Sequence, residues 1–579
     1  MPRAKDFNHF VTNPVNIGIS RSVQDLSHSM KFSFNTFECI PFTWFPVLPG
    51  DTISIDTSKV VRVQPMVCPV MDDLYLDTYY FFVPNRLIWD HWINFMGENT
   101  ASAWTPTVEY SIPQLVMPSN GFDAGTIADY LGVPIGVGPM GPKQNSVSVL
   151  PFRAYALIMD QWFRSEVVDN PVHVYKDDTT RTGVNTGDQV TDIELGGKPF
   201  IACKMPDYFN TCTPSPQKGA PVNLFESGMI PVYPTHWHFN DMEKTISQTT
   251  TKGFPSKMDL LAWQGINPTT SPISKKSIPQ EKNVLGIERQ STDTSFGYST
   301  NASRQADPDS DFSYIPMNLF ADLSMATPFT INDLRTAFAI QRYMERQALS
   351  GSRYIEYIKA FYNVDSPDAR LQRAEYLGGN RIPLNISQVT QTSATDSVTP
   401  QGNVAGMSHT GDSHSDFTKS FTEDGIIMGI CVCRYKNSYQ QGVSRHFLAK
   451  TKYEFYNPVF ANLGNQTVKT DEIYFATNTH EDVFGYQEAW AHYRYLPNRV
   501  AGELRSDATT PLDMWHFADD YATRPYLDAT WIHGDKTNVD RALAVASTVS
   551  NQLIADFYLD ITAARPMPSY SIPGLIDHN

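Results

Sequence analysis

The sequence predicts a mainly β protein: a sandwich of short strands interrupted by long loop insertions that hold a few helices. Three observations predict it. Runs rich in aromatic and β-branched residues, several alternating with period two, lie near both ends of the chain. Forty prolines outnumber thirty-three glycines, which fits ordered loops between short strands better than long helices. Hydrophobic residues fill 41% of the 579 positions, enough for a large core. Length alone suggests roughly two to five domains, yet one β architecture with long insertions also accounts for this chain.

The elements follow in order. Residues 34–47 are aromatic and β-branched and read as strand. Pro49-Gly50 suits the central pair of a type II turn, with proline fixing φ and glycine supplying φ > 0. Residues 52–56 alternate apolar and polar, as a half-buried strand does. Residues 75–83 are too densely aromatic for an exposed strand and belong in the middle of the core. Ile88, Trp92, Phe95 and Met96 recur at helical spacing, as do Phe152, Tyr155, Met159, Trp162 and Phe163. The longest helix starts at Thr330, with Asp333 in a capping-box position and Leu334, Ala337, Phe338, Gln341 and Met344 following. Gly351 interrupts it, and Tyr354, Ile355, Ile358 and Phe361 continue in a second segment. Residues 214–318 and 393–425 read as polar insertions without sustained period, of a length that is usually functional or disordered. Residues 453–460, 472–476, 494–495 and 548–559 read as further strands. No internal repeat is present.

Composition narrows the function. The net charge is −16 and the longest basic run is Lys275-Lys276, so contact with nucleic acid must be a local patch or pass through a cationic partner. Arg3 and Lys5 are the candidates for facing DNA, although a solvated chain end is the plainer reading. Six cysteines make no disulfide framework in a chain this long. Cys431 and Cys433 alternate along an apolar run and face one side of a strand, as buried structural thiols or, with a further pair, as metal ligands. The start lacks an apolar signal segment, and no apolar stretch approaches the roughly eighteen residues of a membrane span. The expectation is a chain made and kept in a reducing cytosol until it joins an assembly.

Motifs for common enzymes are missing. Gly196-Gly197-Lys198 is followed by Pro199 and fails as a phosphate loop, and H-E-x-x-H and G-x-S-x-G do not occur. His236-Trp237-His238 is the best metal candidate, with Asp241 or Glu243 as a third ligand, but exposed His and aromatic clusters also serve recognition. His409, Asp412, His414 and Asp416 form a similar group, which reads as solvated loop. Asp72, Asp73 and Asp77 flank the aromatic run; carboxylate pairs cleave glycosides, while strand-end capping is the structural alternative. Residues 487–499 mix Glu488, His492, Arg494 and Arg499 with Tyr486, Trp490, Tyr493 and Tyr495, and read as core plus subunit interface. No cofactor is expected.

The final sixteen residues, A-R-P-M-P-S-Y-S-I-P-G-L-I-D-H-N, cannot be helical because of Pro566, Pro568 and Pro573. Met567, Tyr570, Ile572, Leu575 and Ile576 are nevertheless apolar, so this arm should lie along its own subunit or a neighbour. The same segment resembles the end of the major capsid protein of the Microviridae, the gokushovirus branch in particular. Further blocks support the resemblance in the family's order: L-P-G-D-T (48–52), D-D-L-Y-L-D-T-Y-Y-F-F-V-P-N-R-L-I-W-D (72–90), D-Y-F-N-T-C-T-P-S-P-Q-K-G (207–219), S-P-D-A-R-L-Q-R-A-E-Y-L-G-G (366–379), S-A-T-D-S-V-T-P-Q-G-N (393–403) and F-G-Y-Q-E-A-W-A-H-Y-R-Y-L-P-N-R (484–499).

The resemblance implies an eight-stranded antiparallel jelly roll of the viral capsid type, which periodicity alone does not. It implies a major capsid protein, not an enzyme. Roughly sixty copies would close a T=1 icosahedral shell around circular single-stranded DNA. The implied partners are a small basic DNA-binding virion protein, a DNA pilot protein, an internal scaffolding protein and a host cell-surface receptor. The implied location is the virion capsid, assembled in the bacterial host cytoplasm. Residues 1–223 would begin the jelly roll, 224–318 would form a variable surface insertion at the threefold axes, and 319–579 would complete the jelly roll and arm. The insertion, with His236, Trp237, His238 and Trp263, would meet the host; Pro566, Pro568, Tyr570, Pro573, Leu575 and Ile576 would meet other subunits. The rival readings are a β-sandwich polysaccharide hydrolase using carboxylates such as Asp72 and Asp73, and a sugar-binding protein.

Overall fold

The computed structural model describes residues 21–98, 108–139, 145–220, 222, 331–351, 353–393, 401–476 and 482–570, with the backbone of eight short strands between 232 and 321. The chain forms two compact units, residues 1–220 with 343–579, and residues 221–342.

The first unit is built on β1 (Ser22–Asp25), β2 (His28–Phe34), β3 (Ile40–Val47), β4 (Thr52–Val63), β5 (Leu74–Pro84), β6 (Glu375–Pro383), β7 (Thr410–Ser420), β8 (Gly425–Tyr435) and β9 (Leu553–Arg565). One antiparallel sheet runs β1–β9–β4–β7, with β2 also paired to β9; the other runs β6–β5–β8–β3. Successive strands β2 to β5 switch sheets at each step, as do β7 to β9, while β5 and β6 are neighbours in one sheet. The last strand fills the slot between the first and β4, the signature of a jelly-roll sandwich. The sheets hold five and four strands because the first strand is broken at Leu26–Ser27 into two pieces that pair with β9 in succession.

The alternation in β4 sets which side is core. Ile53, Ile55, Val61 and Val63 point inward with Phe32, Phe34, Phe557, Leu559 and Ile561, and meet Phe42, Leu76, Tyr80, Ile427, Cys431 and Cys433 of the other sheet. Phe42 packs edge-on against both Phe557 (5.1 Å) and Tyr80 (5.5 Å), which ties the two layers together. β5 and β8 are buried along almost their whole length because both of their faces are covered, and their charged residues Asp77 and Arg434 pair with each other. Phe81, Val83, Ile426, Met428, Ile430 and Val432 point away from the sandwich into a second cluster, closed by Phe152, Tyr155 and Ile158 of α1 (Leu150–Ile158). A π-helical turn continues α1 over Met159–Phe163. A third cluster joins Phe209, Cys212, Tyr439, Phe484 and Trp531.

Several sequence expectations hold. Gly50 has φ +93 and the Asp51 N–H donates to Leu48 O at 3.0 Å, so 48–51 is the expected turn. α2 (Ile331–Ser350) ends at Gly351, whose φ is +91, and α3 (Tyr354–Tyr362) follows. Thr330 lies outside the described residues.

Others are corrected. The strand expected over 34–47 is broken: Phe37 takes φ 66 to bury its ring against Tyr435, and the Asn35 N–H turns back to Glu38 Oε2 at 3.0 Å. The polar stretch 393–425 is largely sheet, with Val404–Ser408 and β7. It looked like loop because β7 is an edge strand whose inward positions are polar: Asp412 pairs with buried Lys59 (3.4 Å), and buried Asp416 accepts from Thr57. Residues 453–460 and 472–476 are not strands but lie in and beside 3-10 turns at Lys452–Glu454, Pro458–Phe460 and Thr470–Glu472. Side chains there capture the backbone first: Glu454 accepts from the N–H groups of Lys450 and Thr451, and Asn457 from that of Val459. Residues 494–495 form no strand either. The helix expected around residue 92 is a single turn, Trp92–Phe95.

Among the described residues, the second unit contains four antiparallel strand pairs: Val232–Pro234 with Leu319–Ala321, Trp237–His238 with Lys257–Met258, Trp263–Ile266 with Ser313–Pro316, and Gly286–Arg289 with Phe296–Ser299. The reading of 214–318 as lacking period missed these because each is only two to four residues long.

Candidate assembly surfaces

The C-terminal arm begins where β9 leaves its sheet. Arg565 places Nε 3.1 Å from the fully buried Asp51 carboxylate and donates from Nη2 to Pro46 O at 2.8 Å. The Ser22 hydroxyl donates to Met567 O at 2.6 Å. The start of β1, the 48–51 turn and the residues just past β9 are thereby fastened together. Past this clamp the chain leaves its own core. Pro566 is half-buried, Pro568 is exposed, and Tyr570 is 84% exposed. Pro573, Leu575 and Ile576 lie outside the described residues.

A second apolar surface lies on the turns of residues 445–463. Phe447 (78% exposed), Tyr453, Phe455, Tyr456 and Val459 (84%) all face solvent. Tyr456 adjoins Tyr493, with ring centres 6.0 Å apart, and Leu496 is exposed as well. Beneath them Trp490, Ala491 and His492 are buried, and Trp490 Nε1–H donates to Phe460 O at 2.8 Å. The stretch 487–499 therefore divides into a buried half and an exposed half. Burial, then the neighbouring Arg445 and His446 charges, pull the His492 imidazole down to about 4. Exposed apolar groups in this density mark contact surfaces. The sequence reading missed this surface because it took 453–460 for a strand and made no reading of 445–452; the concentration of aromatic residues was the available signal.

The candidate carboxylates serve the fold. Asp77 is not at a strand end but inside β5, buried, and held by Arg381 and Arg434, each at 2.5 Å. Asp72 accepts the Phe517 N–H at 2.7 Å, and burial pushes its carboxyl up. Asp73 accepts from the Tyr75 hydroxyl at 3.2 Å. Asp412, His414 and Asp416 are sheet residues rather than solvated loop, His409 is the residue between two strands, and Asp416 also takes His414 at 3.1 Å. Cys431 and Cys433 are buried in the sandwich core, where burial pushes both thiols up. Trp237, His238 and Trp263 lie on short strands of the second unit, while His236, Arg3 and Lys5 lie outside the described residues.

A cavity of about 490 Å³ in the first unit is walled by Tyr79, Phe81, Trp162, Phe163 and Tyr376, with Arg164, Lys204 and Arg434 at its edge. Each of these cations already has a carboxylate partner: Asp160, Asp519 and Asp77 respectively. The cavity is thus aromatic without a free positive charge from those three. Cys203 also lines it, close to Asp169 and His533. Burial pulls the His533 imidazole down, but hydrogen bonds to Asp169 and Cys203 outweigh it and lift the group to about 10. Sequence reading did not find this trio, whose members are scattered along the chain.

The exposed aromatic turns and the exposed residues just past β9 are surfaces of the kind that meet protein. Comparison with known proteins agrees. Residues 14–575 match the family described as "Capsid protein (F protein)". The chain belongs to this capsid protein family. It is 40% identical to the capsid protein VP1 of Spiroplasma virus 4, over 99% of this chain and 98% of that protein. It is 34% identical to the VP1 proteins of Chlamydia phage 1 (96% of each chain) and of Bdellovibrio phage phiMH2K (96% of this chain, 95% of that protein). The resemblance to gokushovirus-like Microviridae is borne out, and with it the role of major capsid protein.

Proposed function

We propose that this major capsid protein closes, in roughly sixty copies, a T=1 icosahedral shell around circular single-stranded DNA. The observation that supports this reading is the match to capsid proteins along nearly the whole chain. The exposed aromatic turns and the arm beyond Arg565 bury themselves against neighbouring copies, with Pro566, Pro568, Tyr570, Pro573, Leu575 and Ile576 forming the strap. The unit around residues 224–318 projects at the threefold axes and meets a host cell-surface receptor through His236, Trp237, His238 and Trp263. With a net charge of −16, the chain leaves most phosphate neutralisation to a small basic virion protein, aided by Arg3 and Lys5. A DNA pilot protein and an internal scaffolding protein complete the assembly, which takes place in the bacterial cytoplasm. The shell role is non-enzymatic; the hydrolase reading loses support from Asp77 and Asp72 being committed to Arg381, Arg434 and the Phe517 N–H.

Sizing of the purified 65.1 kDa chain tests the reading. The expected result under assembly conditions is a particle of several megadaltons, visible as closed rings by negative stain. A persistent monomer that degrades polysaccharide would overturn it in favour of the hydrolase.

A further inference from the structure

We propose that Asp169, Cys203 and His533 form a zinc site that clips the loop around residues 160–172 to a cross-strand pair joining the middle and late parts of the chain. Cys203 and His533 are antiparallel backbone partners. The flanking hydrogen bonds run from Lys204 N–H to Ile532 O (2.9 Å) and from Gly534 N–H to Ala202 O (3.1 Å). The pair between them is therefore of the non-hydrogen-bonded kind, which brings side chains closest. Asp169 enters from the loop, with Oδ1 3.3 Å from His533 Nε2 and Oδ2 4.0 Å from the Cys203 sulfur. The three ligand atoms lie within 4.8 Å of one another. A tetrahedral zinc with bonds of about 2.0–2.3 Å has ligand-to-ligand edges of roughly 3.3–3.6 Å, so a small inward movement of Cys203 completes the geometry.

Two further observations point to a ligand. The Asp169 side chain is 7% exposed, its Oδ1 has the His533 Nε2 contact at 3.3 Å, and His533 Nδ1 is a buried atom without a hydrogen-bond partner. The carboxylate is also supported from behind: the Ser165 N–H donates to Oδ2 at 3.0 Å, and Arg164 holds the loop through Asp169 O (3.2 Å) and the Asp160 carboxylate (2.8 Å). Thiolate, imidazole and carboxylate together suit zinc rather than calcium or magnesium. The His533 imidazole reaches both Asp169 and Cys203, and the thiol also approaches the carboxylate at 4.0 Å, so the three donors face one point. Cys203 borders the 490 Å³ cavity, which leaves the fourth position to water.

The test uses untagged full-length protein, stripped with a chelator and titrated with Zn²⁺ or Co²⁺ alone. The expected result is about one tightly held metal per chain, a thiolate-to-cobalt charge-transfer band, and a raised thermal midpoint with zinc. Cys203→Ser and Asp169→Asn should each remove the tight equivalent, and Cys203→Ser should remove the band. Zinc retained by Cys203→Ser, or cobalt bound by the wild type without a thiolate band, overturns the proposal. Should either variant fail to fold, the wild-type cobalt spectrum decides alone.

Discussion

At the residue scale, stability rests on polar groups that the fold buries and then pairs. Arg153 and Glu194 are fully buried, 3.0 Å apart, and Glu194 also accepts the Tyr175 N–H at 2.6 Å. Burial pushes the Glu194 carboxyl up and the Arg153 guanidinium down, and the pairing offsets part of each. Glu194→Ala leaves a buried guanidinium without this partner and should cost about 3–5 kcal/mol, read as a lower denaturant midpoint of the subunit. His492 carries a pH dependence. Its ordinary value of 6.5 falls to about 4 in the fold, so between those values the unfolded chain takes up a proton that the native state does not. Stability must then fall as pH drops through that window. The thermal midpoint, followed from pH 7 to 4, should decline less in His492→Gln than in the wild type. Arg153, within α1, was not singled out from sequence, and the stretch holding His492 was read as core plus subunit interface without deciding which of its residues is buried.

At the element scale, β9 decides where the chain can be cut. It is a central strand, paired on one side with β1 and β2 and on the other with β4 along its length. Truncation after Asn551 removes that strand and should abolish folding, read as loss of the cooperative unfolding transition. Truncation after Arg565 keeps the sheet and the Arg565–Asp51 pair, and should give a folded subunit that fails to assemble by sedimentation. Normal shells from the second truncation would refute the strap. Much at this scale was legible in advance. β4 and β5 were evident because alternation and aromatic density report one-sided and two-sided burial directly. β7 was not, because its inward residues Asp412 and Asp416 answer Lys59 and Thr57, which lie some 350 residues earlier in the sequence. Residues 453–460 were mistaken for strand because Glu454 and Asn457 compete for backbone N–H groups in a way periodicity does not register.

At the scale of the whole molecule, the two compact units suggest separable duties. On the proposed reading the jelly roll is the tile and residues 224–318 form the surface insertion. Deleting residues 245–303 should leave particles intact by electron microscopy while reducing attachment to cells. If the deletion abolishes shells, the insertion belongs to the assembly machinery instead.

Local patterns of side chains by themselves determined the β class, the early strands and the last one, the helix pair broken at Gly351 and, through motif order, the capsid family. These are readable because alternation, turn chemistry and family blocks are properties of neighbouring residues. Only the tertiary structure decided that β9 would sit between first and fourth strands, that Asp77 would be an anchored core ion, and that Asp169, Cys203 and His533 would converge. Such contacts join residues tens to hundreds of positions apart, and no local pattern encodes which distant partner a buried charge or thiol will meet.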